Sequence, residues 1–173
     1  AALGTAFGPC PADHGVRSLS DAAPPAGAAR RVALALDALR HGWPVAIAGG
    51  LALLPAETGF GEGVQARHML ISAARAATLK LTNQRDAAVP EAPVMIRAAE
   101  PFDLAQARAV ADPALDLLYP LKGPFAAEHI ADPAAAAAAM ELARLAGVLP
   151  AFLVDPVPAG EAQAFAPADL AAW

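Results

Sequence analysis

The stretch "PAAAAAAMELARLAGVLPAFLVDP", residues 133–156, holds the two elements from which the rest of the fold can be predicted. Asp132 followed by Pro133 is typical of a helix start, because the carboxylate accepts free backbone amides and proline needs no amide partner in the first turn. Gly147 is typical of the residue that ends such a helix. The apolar run at 150–156 then predicts a buried strand.

Residues 28–41 predict an earlier helix in the sequence. Val32, Leu36 and Leu39 fall on one helical face, and Gly42 follows as a stop signal. This pattern is typical of a helix that buries one face against a core.

Two short apolar runs within residues 43–57 flank a Gly-Gly pair at 49–50. Such a pair between apolar runs predicts a tight β-hairpin, since glycine accepts positive φ freely. The pair could instead cradle a phosphate, although a cradle normally opens a helix and contains more glycines. The hairpin is the favoured interpretation.

The middle and the end of the sequence carry weaker patterns. Residues 62–76 suit a helix with Val64, Met69 and either Leu70 or Ile71 inward. The other predictions are a strand at 77–82, a strand at 92–98, a helix capped by Asp103 that runs to about Ala111, a strand or helix within 111–121, and an opening helical turn at 167–173. Alternating helices and strands predict the α/β or α+β class, with a mixed β-sheet flanked by helices.

The length of 173 residues indicates one compact domain. Residues 1–26, rich in Gly, Pro, Ser and Asp, predict an irregular leader. We expect the domain itself over residues 27–157, and a tail or a connector to a second domain over residues 158–173. The single cysteine, Cys10, lies in the leader and is interpreted as an incidental thiol.

The net charge, the apolar runs and the first ten residues argue against some classes of partner and location. A net charge of −5 with scattered cations argues against binding to a nucleic-acid backbone. The hydrophobic fraction of 57% comes largely from alanine, and no apolar run reaches the ~18 residues of a membrane span. Residues 1–10 do not resemble a signal peptide, so the expected location is cytoplasmic.

Sequence motifs of common catalytic sites are absent. The four histidines, His14, His41, His68 and His129, include no helical metal pair at i, i+4. The sequence contains no Gly-x-Ser-x-Gly elbow, Walker loop or dinucleotide fingerprint. It therefore predicts neither a metal centre nor an ordinary nucleotide site, and we expect no cofactor.

Six segments between Ala33 and Asp155 resemble, in their order, dihydroxybutanone phosphate synthase of riboflavin biosynthesis. They read ALDALRHGWPVAIAGG, LLPAET, LKLTNQRDAAVP, ARAVADP, LLYPLKG and AMELARLAGVLPAFLVD, and the region covers about seven-tenths of the chain. The resemblance implies the fold of that synthase, a homodimer, and a magnesium-assisted rearrangement of ribulose phosphate that releases formate.

The positions that carry the family's chemistry are altered in this sequence. The acidic Arg-Glu-Asn-Glu-Gly-Asp loop of the family is replaced by the Gly-Gly pair at 49–50. Its Gly-His-Thr-Glu-Ala stretch has Ala135 in place of the histidine and Ala137 in place of the glutamate, and its Cys-Glu pair becomes Asp-Pro at 155–156. The resemblance therefore implies a domain that keeps its packing and helix propensity without the proton-handling groups.

Five residues are candidates for a ligand pocket. Glu57, Thr82 and Arg85 match the family at their positions, and the pocket cysteine of the family falls at Thr78. His129 is a further candidate because it lies in a polar loop and histidine is the side chain that most often serves as a general base. No catalytic residue is assigned.

Three functions fit these observations. The first is a catalytically dead synthase-like domain with a structural, dimerising or regulatory role in riboflavin biosynthesis, as the N-terminal part or the partner of a GTP cyclohydrolase II. The second is a repurposed domain that binds, or acts on, a small phosphorylated metabolite in a cavity lined by the five candidate residues. The third is a structural or partner-binding module of unrelated ancestry, which would show a different strand order.

Overall fold

The computed structural model describes residues 26–48 and 50–173, and so the expected leader lies outside the described residues except for Ala26. The strands are β1 (Val45–Ile47), β2 (Leu51–Pro55), β3 (Gln65–Ile71), β4 (Val94–Asp103), β5 (Ala126–Glu128), β6 (Ala151–Val154) and β7 (Gln163–Phe165). They form one seven-stranded sheet in the order β5-β4-β3-β6-β2-β1-β7. The sheet is mixed, because β1 and β7 are parallel and the other neighbours are antiparallel.

Four α-helices accompany the sheet. They are α1 (Ala28–Arg40), α2 (Ala73–Thr78), α3 (Leu104–Ala111) and α4 (Pro133–Ala146), with 3-10 turns at Arg85–Ala87, Pro113–Leu115 and Pro167–Ala172. The expected class, a mixed sheet flanked by helices, is confirmed. Within the described ranges, no helix has the length and apolar character needed to cross a membrane.

The sheet separates two hydrophobic layers. Leu70 of β3 lies opposite Phe152 of β6, and both pack in the layer that contains α1 and α4. Their neighbours Met69 and Leu153 also lie opposite each other, but they point to the layer that contains α2 and α3. All four residues of β6 are buried, as expected for a central strand covered by helices on both faces.

The helix and strand at 133–156 have the predicted form. Asp132 accepts a hydrogen bond from the Ala135 amide at 2.9 Å, and Gly147 ends α4 in the left-handed conformation with φ 74°. The helix at 28–41 is also confirmed, with Val32 and Leu36 buried in the core.

The predicted hairpin is confirmed by the antiparallel pairing of β1 and β2, in which Ile47 lies opposite Leu51. Gly50 adopts a positive φ of 103°, and its amide donates to the Ile47 carbonyl at 3.1 Å. Gly49 lies outside the described residues. This turn links two strands rather than a strand and a helix, which is the geometry of a hairpin and not that of a phosphate-binding loop.

The helix predicted over residues 62–76 is wrong. Its middle is β3 (Gln65–Ile71), and only residues from Ala73 onward are helical. Met69, Leu70 and Ile71 are all buried because β3 is covered on both faces, so the period-two alternation of a strand is hidden at that end. Ser72 then starts α2 by accepting the Arg75 amide at 3.2 Å.

The strand predicted over residues 77–82 is also wrong. Leu79 and Leu81 do turn inward while Lys80 is exposed, but the backbone there is a helix end. The Lys80 amide donates to Ala77 and the Leu81 amide donates to Ala76, both at 3.0 Å, which is a Schellman motif. The inward, outward, inward pattern of residues 79–81 is therefore produced by the turn that ends α2 and not by a strand.

The remaining predictions concern the strand at 92–98, the open stretch at 111–121 and the C-terminal residues. The strand at 92–98 is confirmed and extends as β4 to Asp103, whose side chain forms a capping box with Gln106 at the start of α3. The open stretch 111–121 forms one 3-10 turn without a strand or an α-helix. Residues 163–172, expected in the tail or connector, supply β7 and a 3-10 turn to the same sheet and core.

Candidate functional site

A cavity of about 280 Å³ lies where the β1–β2 hairpin, the end of β6 and the start of α4 meet. We call it the hairpin cavity. Gly50 and Leu51 line it from the hairpin, Asp155 lines it from the end of β6, and Asp132 lines it from the start of α4. The resemblance assigns the chemistry of the synthase family to two of these places, the Gly-Gly pair and Asp155. Its third segment, residues 134–138, begins two residues after Asp132 and does not line the cavity.

An ion-pair network forms the polar wall of the hairpin cavity. His68 Nε2 lies 2.9 Å from Glu128 Oε2, and Arg97 Nε donates to Glu128 Oε1 at 2.5 Å. The hydrogen bond from Arg97 lowers the pKa of Glu128 below its usual range, with help from His68 and against the opposing effect of burial. Glu128 therefore stays ionised at neutral pH, and both of its oxygens are engaged.

The two aspartates of the hairpin cavity also have internal partners. Asp132 caps α4, and Asp155 Oδ1 accepts the Ala52 amide of β2 at 3.2 Å. A magnesium site requires several free oxygen ligands that converge on one point. Within residues 26–48 and 50–173, no three His, Cys, Asp or Glu side chains converge in that way, so the residues present do not fit the ion that the family uses.

Ala135 and Ala137, which the resemblance aligns with the family's histidine and glutamate, lie on different sides of α4. Ala135 is 0% exposed and packs in the core with α1. Ala137 is exposed and lines a separate cavity beside Glu91 and Arg144. The packed core around position 135 leaves no room for a histidine side chain. Position 137 does not face the hairpin cavity.

The five ligand-pocket candidates do not meet in one of the described cavities. His129 lines the hairpin cavity, whereas Thr78 lines another cavity and donates its hydroxyl to the Ala74 carbonyl at 3.0 Å.

The other three candidates have different surroundings. Glu57 Oε2 accepts the Leu149 amide at 2.6 Å and so fixes the loop before β6. Thr82 is exposed, and the Arg85 side chain is 92% exposed, 3.7 Å from Asp86. Thr78 lies at the end of α2 and not in the strand predicted over residues 77–82.

Sequence reasoning missed a cluster of charged residues around Asp116. Arg75 is 5% exposed and donates to both oxygens of Asp116 at 2.8 Å and 2.6 Å. The Lys122 side chain, 6% exposed, also donates to Asp116. The hydrogen bonds from Arg75 and then Lys122 hold the pKa of Asp116 far below its usual range. The only signal in the sequence was the presence of charges among apolar residues at 115–125.

The chain matches no protein-family model. A comparison with curated proteins likewise finds no significant sequence match.

Proposed function

We propose that this chain is a catalytically inactive domain with the fold of dihydroxybutanone phosphate synthase, and that it serves riboflavin biosynthesis as a structural, dimerising or regulatory unit. Its expected partner is a GTP cyclohydrolase II, either in the same polypeptide or as a separate protein. A cytoplasmic location and a homodimer belong to this proposal.

The observation that carries the proposal is the convergence at the hairpin cavity. Two segments far apart in the sequence, at 49–50 and 155–156, carry the family's chemistry in the resemblance, and a residue of each lines one space. Asp132, two residues before the third such segment at 134–138, lines the same space. Such a convergence supports common ancestry more strongly than any single segment does.

The chemistry of the hairpin cavity supports loss of the synthase reaction. That reaction needs carboxylates free to hold a metal ion and to move protons. Glu128 is held by Arg97 and His68, while Asp132 and Asp155 each accept a backbone amide. The side chains of this cavity thus serve to stabilise the fold.

The test of inactivity is formate release from ribulose 5-phosphate with magnesium, measured beside an active synthase at equal concentration. We expect no formate above the blank. Turnover within about a hundredfold of the active enzyme, which is some 2.7 kcal/mol in barrier height, would refute the proposal.

The supporting role needs its own measurement. Sedimentation equilibrium of the chain should show a dimer, and addition of the cyclohydrolase from the same source should give a complex of defined stoichiometry or change its rate of GTP turnover. A monomer that neither binds the cyclohydrolase nor alters its rate would leave this part of the proposal without support.

A further inference from the structure

The chain contains only two lysines, Lys80 and Lys122, and both line one cavity of about 490 Å³. We call it the lysine cavity. Its walls are the C-terminal end of α2, with Thr78 and Lys80, and the loop that carries Asp116 and Lys122. It has none of its lining residues in common with the hairpin cavity.

The charges at the lysine cavity do not balance. Arg75, Lys80 and Lys122 are cations, and Asp116 is the one carboxylate among the lining residues and their ion-pair partners, so the net charge is +2. The chain as a whole is acidic, with a net charge of −5. A buried charge is normally paired, because its transfer out of water is costly.

Arg75 and Lys122 are the two buried cations of this set, and Lys122 is the less compensated of them. Its side chain is 6% exposed, yet within the described residues its ammonium has one ion-pair partner, Asp116, whose two oxygens are already bound by Arg75. An ammonium carries three N–H donors, so two remain for a ligand in the cavity.

Lys80 occupies a position that ordinarily favours glycine. Its φ is +62°, in the left-handed region, at the residue that ends the Schellman motif of α2. A lysine there is strained relative to glycine, so its presence needs a reason other than the stability of the helix end. That position directs a second cation to the rim of the lysine cavity.

We propose that the lysine cavity binds a phosphate group, either free inorganic phosphate or the phosphate of a small metabolite. A phosphate dianion would cancel the net charge of +2, whereas a single carboxylate would cancel only half of it. Lysine is a common phosphate ligand in proteins, acting as a point charge. This inference does not depend on the proposed role in riboflavin biosynthesis, since it concerns a different cavity.

Selective ¹⁵N labelling of lysine tests the proposal directly, because the two lysines should give two amide signals. Inorganic phosphate, glycerol 3-phosphate and acetate are added to the full chain at constant ionic strength. Both signals should shift and saturate with either phosphate compound, with half-saturation below about 10 mM, and should not shift with acetate. Tighter binding of glycerol 3-phosphate would indicate a metabolite, and tighter binding of inorganic phosphate would indicate the free ion.

Three variants separate binding from folding, with phosphate affinity measured by calorimetry. Lys122→Met keeps the apolar stem and should weaken phosphate binding at least tenfold. Lys80→Gly should also weaken it, while the midpoint of thermal unfolding stays the same or rises because the left-handed strain is removed. Arg30→Met removes an exposed charge from α1 and should leave phosphate binding unchanged.

The proposal is overturned if the lysine signals do not respond to phosphate, or if acetate binds as tightly. It is also overturned if Arg30→Met weakens binding as much as Lys80→Gly does, because the effect would then be one of overall charge. Lys80→Gly keeps the test decisive even if Lys122→Met does not fold.

Discussion

Arg31 and Asp169, 138 residues apart, form a two-pronged ion pair that joins the C-terminal turn to the first helix. Arg31 Nε donates to Asp169 Oδ2 at 2.8 Å, and Nη2 donates to Oδ1 at 2.6 Å. Asp169 is fully buried and also accepts the Ala166 amide at 2.9 Å. The pair holds the 3-10 turn at Pro167–Ala172 against α1.

Removal of the cation from this pair should destabilise the whole domain. In Arg31→Met, a buried carboxylate at position 169 loses its charged partner, and breaking a buried pair on one side is costly. We expect the thermal midpoint to fall by roughly 5 °C or more. Arg144→Met is the matched control, because it breaks an exposed pair with Glu141 on α4 and should shift the midpoint by less than about 1 °C. Equal losses in the two variants would contradict the assigned role of Arg31.

Stability should fall in acid. Hydrogen bonds from Arg97 and Arg31 lower the pKa values of Glu128 and Asp169, and the pKa of Asp116 is lowered in the same way by its two cations. A carboxylate with a lowered pKa in the folded chain binds its proton more readily after unfolding. The stability that these three ionised carboxylates contribute to the folded chain is therefore fully present above pH ~5, and it is lost as the pH falls through ~4 and below. Urea midpoints measured from pH 7 to pH 2.5 should show this decline.

Asp116→Asn identifies one source of the acid sensitivity. The variant should be less stable than the parent chain at pH 7, because Arg75 and Lys122 lose their shared carboxylate. Its decline between pH 5 and pH 2.5 should be shallower, since one titrating group is gone. Parallel curves for the two proteins would show that Asp116 does not contribute.

Gln84 should hold the edge strand β5 in place. Its side-chain amide donates to the Phe125 carbonyl at 3.0 Å, and its carbonyl accepts the Ala127 amide at 2.6 Å. Gln84→Ala removes both bonds and should cost about 1–3 kcal/mol locally. Hydrogen exchange at Ala127 should then accelerate roughly tenfold or more, because 1.4 kcal/mol corresponds to a factor of ten.

The neighbouring Asn83 provides the control for Gln84. Asn83 is exposed in the same turn, so Asn83→Ala should leave exchange in β5 unchanged. If both variants accelerate exchange equally, the turn as a whole and not the Gln84 side chain fixes the strand.

The elements that could be predicted from the sequence are those whose signals are local. The ends of α4 follow from Asp132 and Gly147, and the hairpin follows from the Gly-Gly pair, because capping and turn formation depend on adjacent residues. The strand β6 could be predicted because it is apolar throughout and is bounded by proline on each side.

The elements that were mistaken or missed depend on distant partners. The buried end of β3 satisfies a helical pattern by coincidence, and only its pairing with β4 and β6 makes it a strand. The three residues of β7 carry no local strand signal and are fixed by parallel pairing with β1. The ion pairs of Arg31 and Arg75 likewise join residues that lie far apart in the sequence, which no spacing rule could indicate.

The candidate site was foreseen only in part. The resemblance directed attention to the Gly-Gly pair and to residues 155–156, which supply Gly50 and Asp155 to the hairpin cavity, and of the five candidate residues His129 lines it. His68, Glu128 and Arg97 were missed as a group, since His68 lies in the stretch that was predicted to be helical. Their cross-strand contacts exist only because β3, β4 and β5 are neighbours in the sheet.

Two substitutions on α4, Ala135→His and Ala137→Glu, introduce the side chains that the resemblance aligns with these positions. They should separate the effect on packing from any effect on chemistry. Ala135 is fully buried, so Ala135→His places a large polar ring in a packed core and should cost about 3 kcal/mol or more in unfolding free energy. Ala137 is exposed, so Ala137→Glu should change stability by less than about 0.5 kcal/mol. Urea denaturation of each variant measures both values.

Neither substitution, alone or combined, should produce formate from ribulose 5-phosphate and magnesium. The histidine would have to displace core side chains to reach the hairpin cavity, and the carboxylates there stay bound to Arg97, His68 and backbone amides. A stable Ala135→His variant would mean that α4 can repack around a larger residue. If that variant also released formate, the conclusion that Arg97, His68 and backbone amides keep the cavity's carboxylates from acting would be wrong.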